Sequence, residues 1–153
     1  MWPFKFFLPA ILILTAVSCW LCPPGVSQAF GQSKYIPVTK YDPKRDAVQD
    51  IQEAIKGAQR AHKRILLDVG GEWCSWCHTL DRFFAASPDL LNLREQNFVT
   101  VKINFSEENE NKEVLSRYGT IRGYPHLFVL EADGGLLLSK DTSALERDRK
   151  SVV

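Results

Sequence analysis

Two cysteines with two residues between them, Cys74-Ser75-Trp76-Cys77, follow an apolar run and a glycine pair in Leu67-Asp68-Val69-Gly70-Gly71-Glu72-Trp73. The pattern predicts a strand, a turn and the start of a helix. With the helix beginning near Cys74, that sulfur lies beside unpaired backbone N–H groups and the positive end of the helix dipole, which favour thiolate over thiol. Cys77 stands one turn further in. A nucleophilic outer cysteine with a less exposed partner in bonding reach can attack another protein's disulfide and then resolve the mixed species. Thiol-disulfide exchange is therefore the leading chemistry.

Two rival uses of the same residues are weighed against it. A closed zinc centre needs two more ligands, and no further cysteine follows Cys77, so no metal is expected. Cys74-Ser75-Trp76-Cys77-His78 also matches the attachment motif for c-type haem. Haem needs a second axial ligand, commonly Met or His. The one methionine is Met1, which leaves His62 and His126, both read as surface histidines. His78 is given a place on the first helical turn, and no cofactor is expected.

The elements that must position the dithiol can be read outward from it. Ile65 to Val69 is apolar except for Asp68 and predicts a buried central strand. Before it, Asp46 is a candidate N-cap for a helix carrying Val48, Ile51, Ala54, Ile55, Ala58 and Ala61 on one face and closing on His62-Lys63-Arg64. Tyr35 to Tyr41 suggests a short edge strand, with Pro37 barring it from a sheet centre. After the cysteines, Leu80, Phe83, Phe84 and Leu90 continue an apolar helical face that Ser87-Pro88 interrupts before Asp89 to Gln96 resumes it. Phe98 to Asn104 reads as the next strand, and Ser106 to Tyr118 as a helix with Glu107, Glu108 and Glu110 at its N-terminus. Pro125 to Glu131 and Gly135 to Ser139 flank Ala132-Asp133-Gly134 as a hairpin. The tail, Asp141 to Val153, allows a short closing helix. The sum is one α/β layer structure.

With 19 Lys and Arg against 18 Asp and Glu in 153 residues, the chain is electrostatically balanced and nothing points to nucleic acid. The N-terminus reads as an export signal: Lys5 is followed by the apolar run Phe6 to Leu21, and Ser27-Gln28-Ala29 offers small residues for cleavage after Ala29. An uncleaved anchor and lipidation at Cys19 are the alternatives. Residues 1–29 are thus expected to be a signal peptide, 30–45 an N-terminal extension and 46–153 the domain. Cys19 and Cys22 fall in the signal, so Cys74 and Cys77 remain as an isolated pair. Closing so short a loop restrains the unfolded chain little, which makes structural stapling a poor explanation for them.

From Asp46 to Ser139 these residues resemble the thioredoxin superfamily. Asp68 lies six residues before Cys74, where thioredoxin-like reductases keep a buried carboxylate, and Glu72-Trp73-Cys74 is similar to the family's approach to its active site. Lys102, in Val101-Lys102-Ile103-Asn104, matches the lysine that the family places beside that carboxylate. Tyr118-Gly119-Thr120-Ile121-Arg122-Gly123-Tyr124-Pro125 is similar to the segment leading into the family's cis-proline. The context looks most like exported bacterial thioredoxin-like proteins, such as the C-terminal domain of the membrane thiol:disulfide interchange protein. Two departures stand out: Gly70 replaces an aromatic, and Trp76 replaces the proline between the cysteines. The resemblance implies a thioredoxin fold, a central mixed β-sheet flanked by helices, here with a curtailed C-terminal helix.

Each site residue carries an alternative. Asp68, if buried, has a raised pKa and is a candidate to take the proton from Cys77; otherwise it caps a neighbouring helix from a strand end. Lys102 either holds Asp68 by charge or faces outward. Pro125, if cis, turns the Tyr124 backbone toward an extended substrate; otherwise it is a turn proline. Trp73 and Trp76 form an apolar rim for partners, a core role fitting Trp73 better than Trp76. The expected function is an exported, periplasmic disulfide reductase that acts on protein disulfides and is recharged by a membrane or soluble thiol donor. An oxidase or isomerase, and a non-catalytic chaperone or adaptor, are the alternatives.

Overall fold

The computed structural model describes residues 35–147. The expected signal segment, its cleavage after Ala29, and Cys19 and Cys22 lie outside them. Helix α1 (Ala47–Ala61) begins where the sequence placed it, because the Asp46 carboxylate accepts hydrogen bonds from the backbone of Val48 and Gln49. It ends on His62, whose left-handed backbone (φ 53°) closes the last turn. Ala47, Ile51, Ala54 and Ala58 are buried, whereas Val48, expected on that face, is 39% exposed.

Strand β1 (Arg64–Gly70) follows, then α2 (Ser75–Ala85), α3 (Pro88–Asn97) and β2 (Phe98–Asn104). A four-residue helix α4 (Lys112–Leu115), strands β3 (His126–Leu130) and β4 (Leu136–Asp141), and α5 (Ser143–Arg147) complete the described residues. The sheet order is β2-β1-β3-β4. β1 pairs in parallel with β2 and antiparallel with β3, and β3 pairs antiparallel with β4. The sheet is mixed, with β1 at its centre. A strand buried on both faces must be apolar nearly throughout, and Ile65 to Gly70 are all buried. Ile65, Leu67, Val69, Val101, Ile103, Phe128 and Leu130 form the fully buried centre of the core.

Two expected elements are smaller in the structure. The stretch from Tyr35 to Tyr41 is reduced to one bridge, Val38 beside Val101. Even so, Val38 (8% exposed) and Tyr41 (3%) are core residues, so the described part of the 30–45 extension packs into the domain. The helix expected over Ser106 to Tyr118 contracts to α4. Asn104 Nδ2 donates to the Asn109 carbonyl at 2.9 Å and Asn111 Nδ2 to the Asn104 carbonyl at 2.8 Å, which holds the preceding chain as a loop. The apolar face after the dithiol is helical but open: Phe83 (47% exposed), Leu90 (41%) and Leu93 (58%) remain at the surface.

Candidate active site

Gly70 ends β1, and the chain turns through Gly71 and Glu72 into α2. Cys74 is the N-cap of α2, with extended backbone, and its sulfur accepts a hydrogen bond from the Cys77 N–H at 3.1 Å. Cys74 and Cys77 are joined in a disulfide with Cα atoms 5.2 Å apart. Cys74 is 4% exposed and Cys77 0%. The order outer-to-inner is the expected one, but the outer sulfur is more enclosed than an exposed helix tip implies. Tyr41 forms one buried cluster with the pair, and Tyr124 packs against that cluster.

Tyr41, which packs with the disulfide, also reaches a buried ionic group. Asp68, 3% exposed, sits opposite Lys102 in the parallel β1–β2 register. Lys102 Nζ donates to Asp68 Oδ2 at 3.2 Å and reaches Asp81 Oδ1 on α2 at 2.8 Å. The Tyr41 hydroxyl donates to Asp68 Oδ1 at 2.8 Å. Burial raises the Asp68 pKa above the ordinary carboxylate value; Lys102 and the Tyr41 hydroxyl pull against that rise. The Tyr41 phenol is itself pushed far up, by burial first and then by the neighbouring Asp68 charge, and so stays protonated.

The tryptophans flank the mouth. Trp73 is 58% exposed and Trp76 43%, so Trp73 is the more exposed of the two rather than the core residue. Its indole N–H donates to the Phe105 carbonyl at 2.7 Å, and its ring meets Tyr124 edge-on at 5.4 Å. Tyr124 also stacks at 4.9 Å on Phe105. The Tyr124–Pro125 peptide bond is cis, Pro125 is buried, and its carbonyl accepts from Thr142 Oγ1 at 2.6 Å. The sequence segment that ends in Pro125 is thus brought to the dithiol through Tyr124.

The histidines fall differently. His78 lies on the first turn of α2, with Nε2 2.8 Å from the Glu72 carbonyl oxygen. His62 is exposed. His126, expected at the surface, is 2% exposed; its Nε2 lies 2.8 Å from Ser139 Oγ, and its ring stacks on Phe128 at 4.6 Å. It alternates with Leu127 along β3 and takes the inward side, and burial lowers its pKa.

Sequence reasoning missed two residues of the group. Asp81 follows Cys77 by four positions, the helical spacing that puts both on one face of α2, so a signal for it existed. Tyr41 had none, because it contacts Asp68 across 27 residues of chain.

The thioredoxin-like family model matches residues 46–132. Spermatogenesis-associated protein 20 of Homo sapiens is 32% identical over 67 residues, 44% of this chain but 8% of that protein, and the same holds for its Rattus norvegicus counterpart. The aligned part therefore spans less than a tenth of those curated relatives. Among solved structures, a disulphide isomerase from Xylella fastidiosa Temecula1 superposes with a TM-score of 0.63 at 28% identity, covering 76% of this chain and 88% of that one. Thioredoxin f from spinach chloroplast matches with a TM-score of 0.50 at 17% identity over 76% and 84% of the two chains, a likeness of fold.

Proposed function

Because the chain belongs to the thioredoxin-like family, we propose that it is an exported enzyme that reduces protein disulfides through Cys74 and Cys77. A thioredoxin-like fold carrying a Cys-x-x-Cys pair is consistent with a thiol-disulfide oxidoreductase. One observation carries the finer reading: a disulfide closed at the N-terminus of α2 and joined, through the Tyr41 that packs with it, to a buried Asp68–Lys102 pair.

Cys74 attacks a substrate disulfide as the thiolate, and one substrate sulfur leaves as a thiolate that takes its proton from water. Cys77 then gives its proton to the Asp68 carboxylate and attacks the Cys74 sulfur of the mixed disulfide. The second substrate sulfur leaves, the Cys74–Cys77 bond closes, and two electrons have passed to the substrate. An external thiol donor returns them. Lys102 keeps Asp68 oriented by charge, Trp73 and Trp76 supply the apolar rim, and the Tyr124 backbone before cis-Pro125 offers hydrogen bonds to an extended substrate segment. Export is supported by Lys5, the apolar run from Phe6 and Ser27-Gln28-Ala29.

The second reading is isomerase or oxidase, and the name of the Xylella fastidiosa neighbour, a disulphide isomerase, favours the first of these. Trapping and potentiometry separate the readings. Cys77→Ser is expected to accumulate a mixed disulfide with a protein substrate through Cys74, and Cys74→Ser to accumulate none. A reduction potential near that of thioredoxin, about −270 mV, supports the reductase, and one near that of a strong oxidant, about −120 mV, supports the second reading. Failure of Cys77→Ser to trap any protein overturns both.

A further inference from the structure

Gly70 ends β1 beside the dithiol, and the structure shows what occupies the space a side chain there would take. A Cβ on Gly70 would collide with Cys77 Sγ and stand 3.2 Å from both Cζ and the hydroxyl oxygen of Tyr41. Cys77 and Tyr41 thus share the wall that only a glycine leaves open. The ring comes from the segment before α1 and brings a hydroxyl group to the Asp68 carboxylate.

We propose that Tyr41 is the positioning residue of this carboxylate, its hydroxyl holding Asp68 in the ionised form that accepts the Cys77 proton and its ring forming the wall behind Cys77. The proposal rests on the reading of Cys74 and Cys77 as an exchanging dithiol. Each Asp68 oxygen has its own donor: Tyr41 Oη on Oδ1 at 2.8 Å and Lys102 Nζ on Oδ2 at 3.2 Å. Lys102 Nζ also lies 4.0 Å from the centre of the Tyr41 ring, so the cation touches both the carboxylate and the aromatic face.

The segment that carries Tyr41 is tied down on both sides. The Val38 carbonyl accepts from the Lys102 N–H at 3.1 Å, the Tyr41 N–H donates to Glu72 Oε1 at 3.3 Å, and Asn109 Nδ2 donates to the Pro43 carbonyl at 2.9 Å. A ring only 3% exposed and fixed at these points has little freedom to leave Asp68.

The charged and titratable groups around Asp68 come from every neighbouring element. Tyr41 belongs to the N-terminal segment, Lys102 to β2, Asp81 and the dithiol to α2, and Glu72 to the loop before it; from β3 the register partner is the apolar Leu127. Burial and the Asp81 charge favour the protonated carboxyl, whereas Lys102 and Tyr41 favour the carboxylate. A hydroxyl donates more strongly to a carboxylate than to a neutral carboxyl, so its removal shifts the balance toward the acid. An Asp68 already carrying a proton has no place for the one on Cys77, and the mixed disulfide then waits.

The test is Tyr41→Phe in the full chain, which keeps the ring and removes one oxygen. Carbon-13 NMR of the Asp68 carboxyl in the oxidised protein, identified by comparison with Asp68→Asn, reads the ionisation directly. The expected result is an upward move of Asp68 by about one pH unit. The acidic limb of mixed-disulfide resolution should move up with it, while the rate of the initial Cys74 attack is unchanged. A fluorinated tyrosine at position 41, a stronger donor of similar shape, is expected to move Asp68 and the limb downward. Asp68 titration that stays fixed through both changes, in a protein that turns over normally, overturns the role of Tyr41 and leaves the reductase reading intact. Asp68 titration that responds in a chain with no disulfide exchange overturns the reading beneath it.

Discussion

At the scale of single residues, the site is a compromise around one buried acid. Asp68 is held between burial, which resists its charge, and Lys102 and Tyr41, which stabilise it. Its pKa in the fold lies above the unfolded value, so between those two values the native state binds more protons than the unfolded chain. Its contribution to stability is therefore fully present below the ordinary carboxylate value of about 3.9 and is lost as pH rises through the folded one. Asp68→Asn removes that loss. Urea unfolding of the oxidised protein is expected to show the wild type losing about 1.4 kcal/mol, relative to the variant, for each unit by which the acid is raised. A constant difference between the two from acid to neutral pH would contradict the burial of an ionising Asp68. Cys74 and Cys77 were legible from their local spacing, and Asp68 and Lys102 from the family resemblance, although the Lys102–Asp68 contact spans 34 residues of chain. Tyr41 was not, since its bond to Asp68 depends on where a loop lies in three dimensions.

At the scale of elements, the parts that make the site are those whose boundaries are written in local chemistry. The Asp46 cap, the glycine turn ahead of α2 and Ser87-Pro88 ahead of α3 all stand where the sequence placed them. Asp46→Ala removes the acceptor of two backbone N–H groups and should lower stability by about 1 kcal/mol, read as a shift of the urea midpoint with unchanged slope. No shift would mean that the start of α1 is fixed by Tyr41 and its neighbours rather than by its cap. The misread element fails for a comparable reason. Glu107, Glu108 and Glu110 suit a helix start, but Asn104, Asn109 and Asn111 bond locally to backbone and hold the chain out of the helix until Lys112. Apolar periodicity in α2 and α3 correctly gave helices but not burial, as Phe83 and Leu93 show. Periodicity reports which side chains share a face; whether anything covers that face is decided elsewhere in the chain.

At the scale of the whole molecule, a mixed sheet places three separated stretches at one point: the end of β1 with its turn, the cis-Pro125 segment before β3, and the loop carrying Tyr41. Tyr41 clusters with the sulfur pair, Tyr124 packs against that cluster, and the Tyr41 hydroxyl ties it to the buried Asp68. In the proposed exchange Cys74 is the attacking sulfur and Cys77 the resolving one. Alkylation of the fully reduced protein with iodoacetamide across pH, with each cysteine read by mass spectrometry, tests it most directly. Cys74 is expected to be modified first and to reach its half-maximal rate well below the free-thiol value of about 8.5, while Cys77 stays protected. Modification of Cys77 first, or of both sulfurs together with the profile of an ordinary thiol, would contradict it.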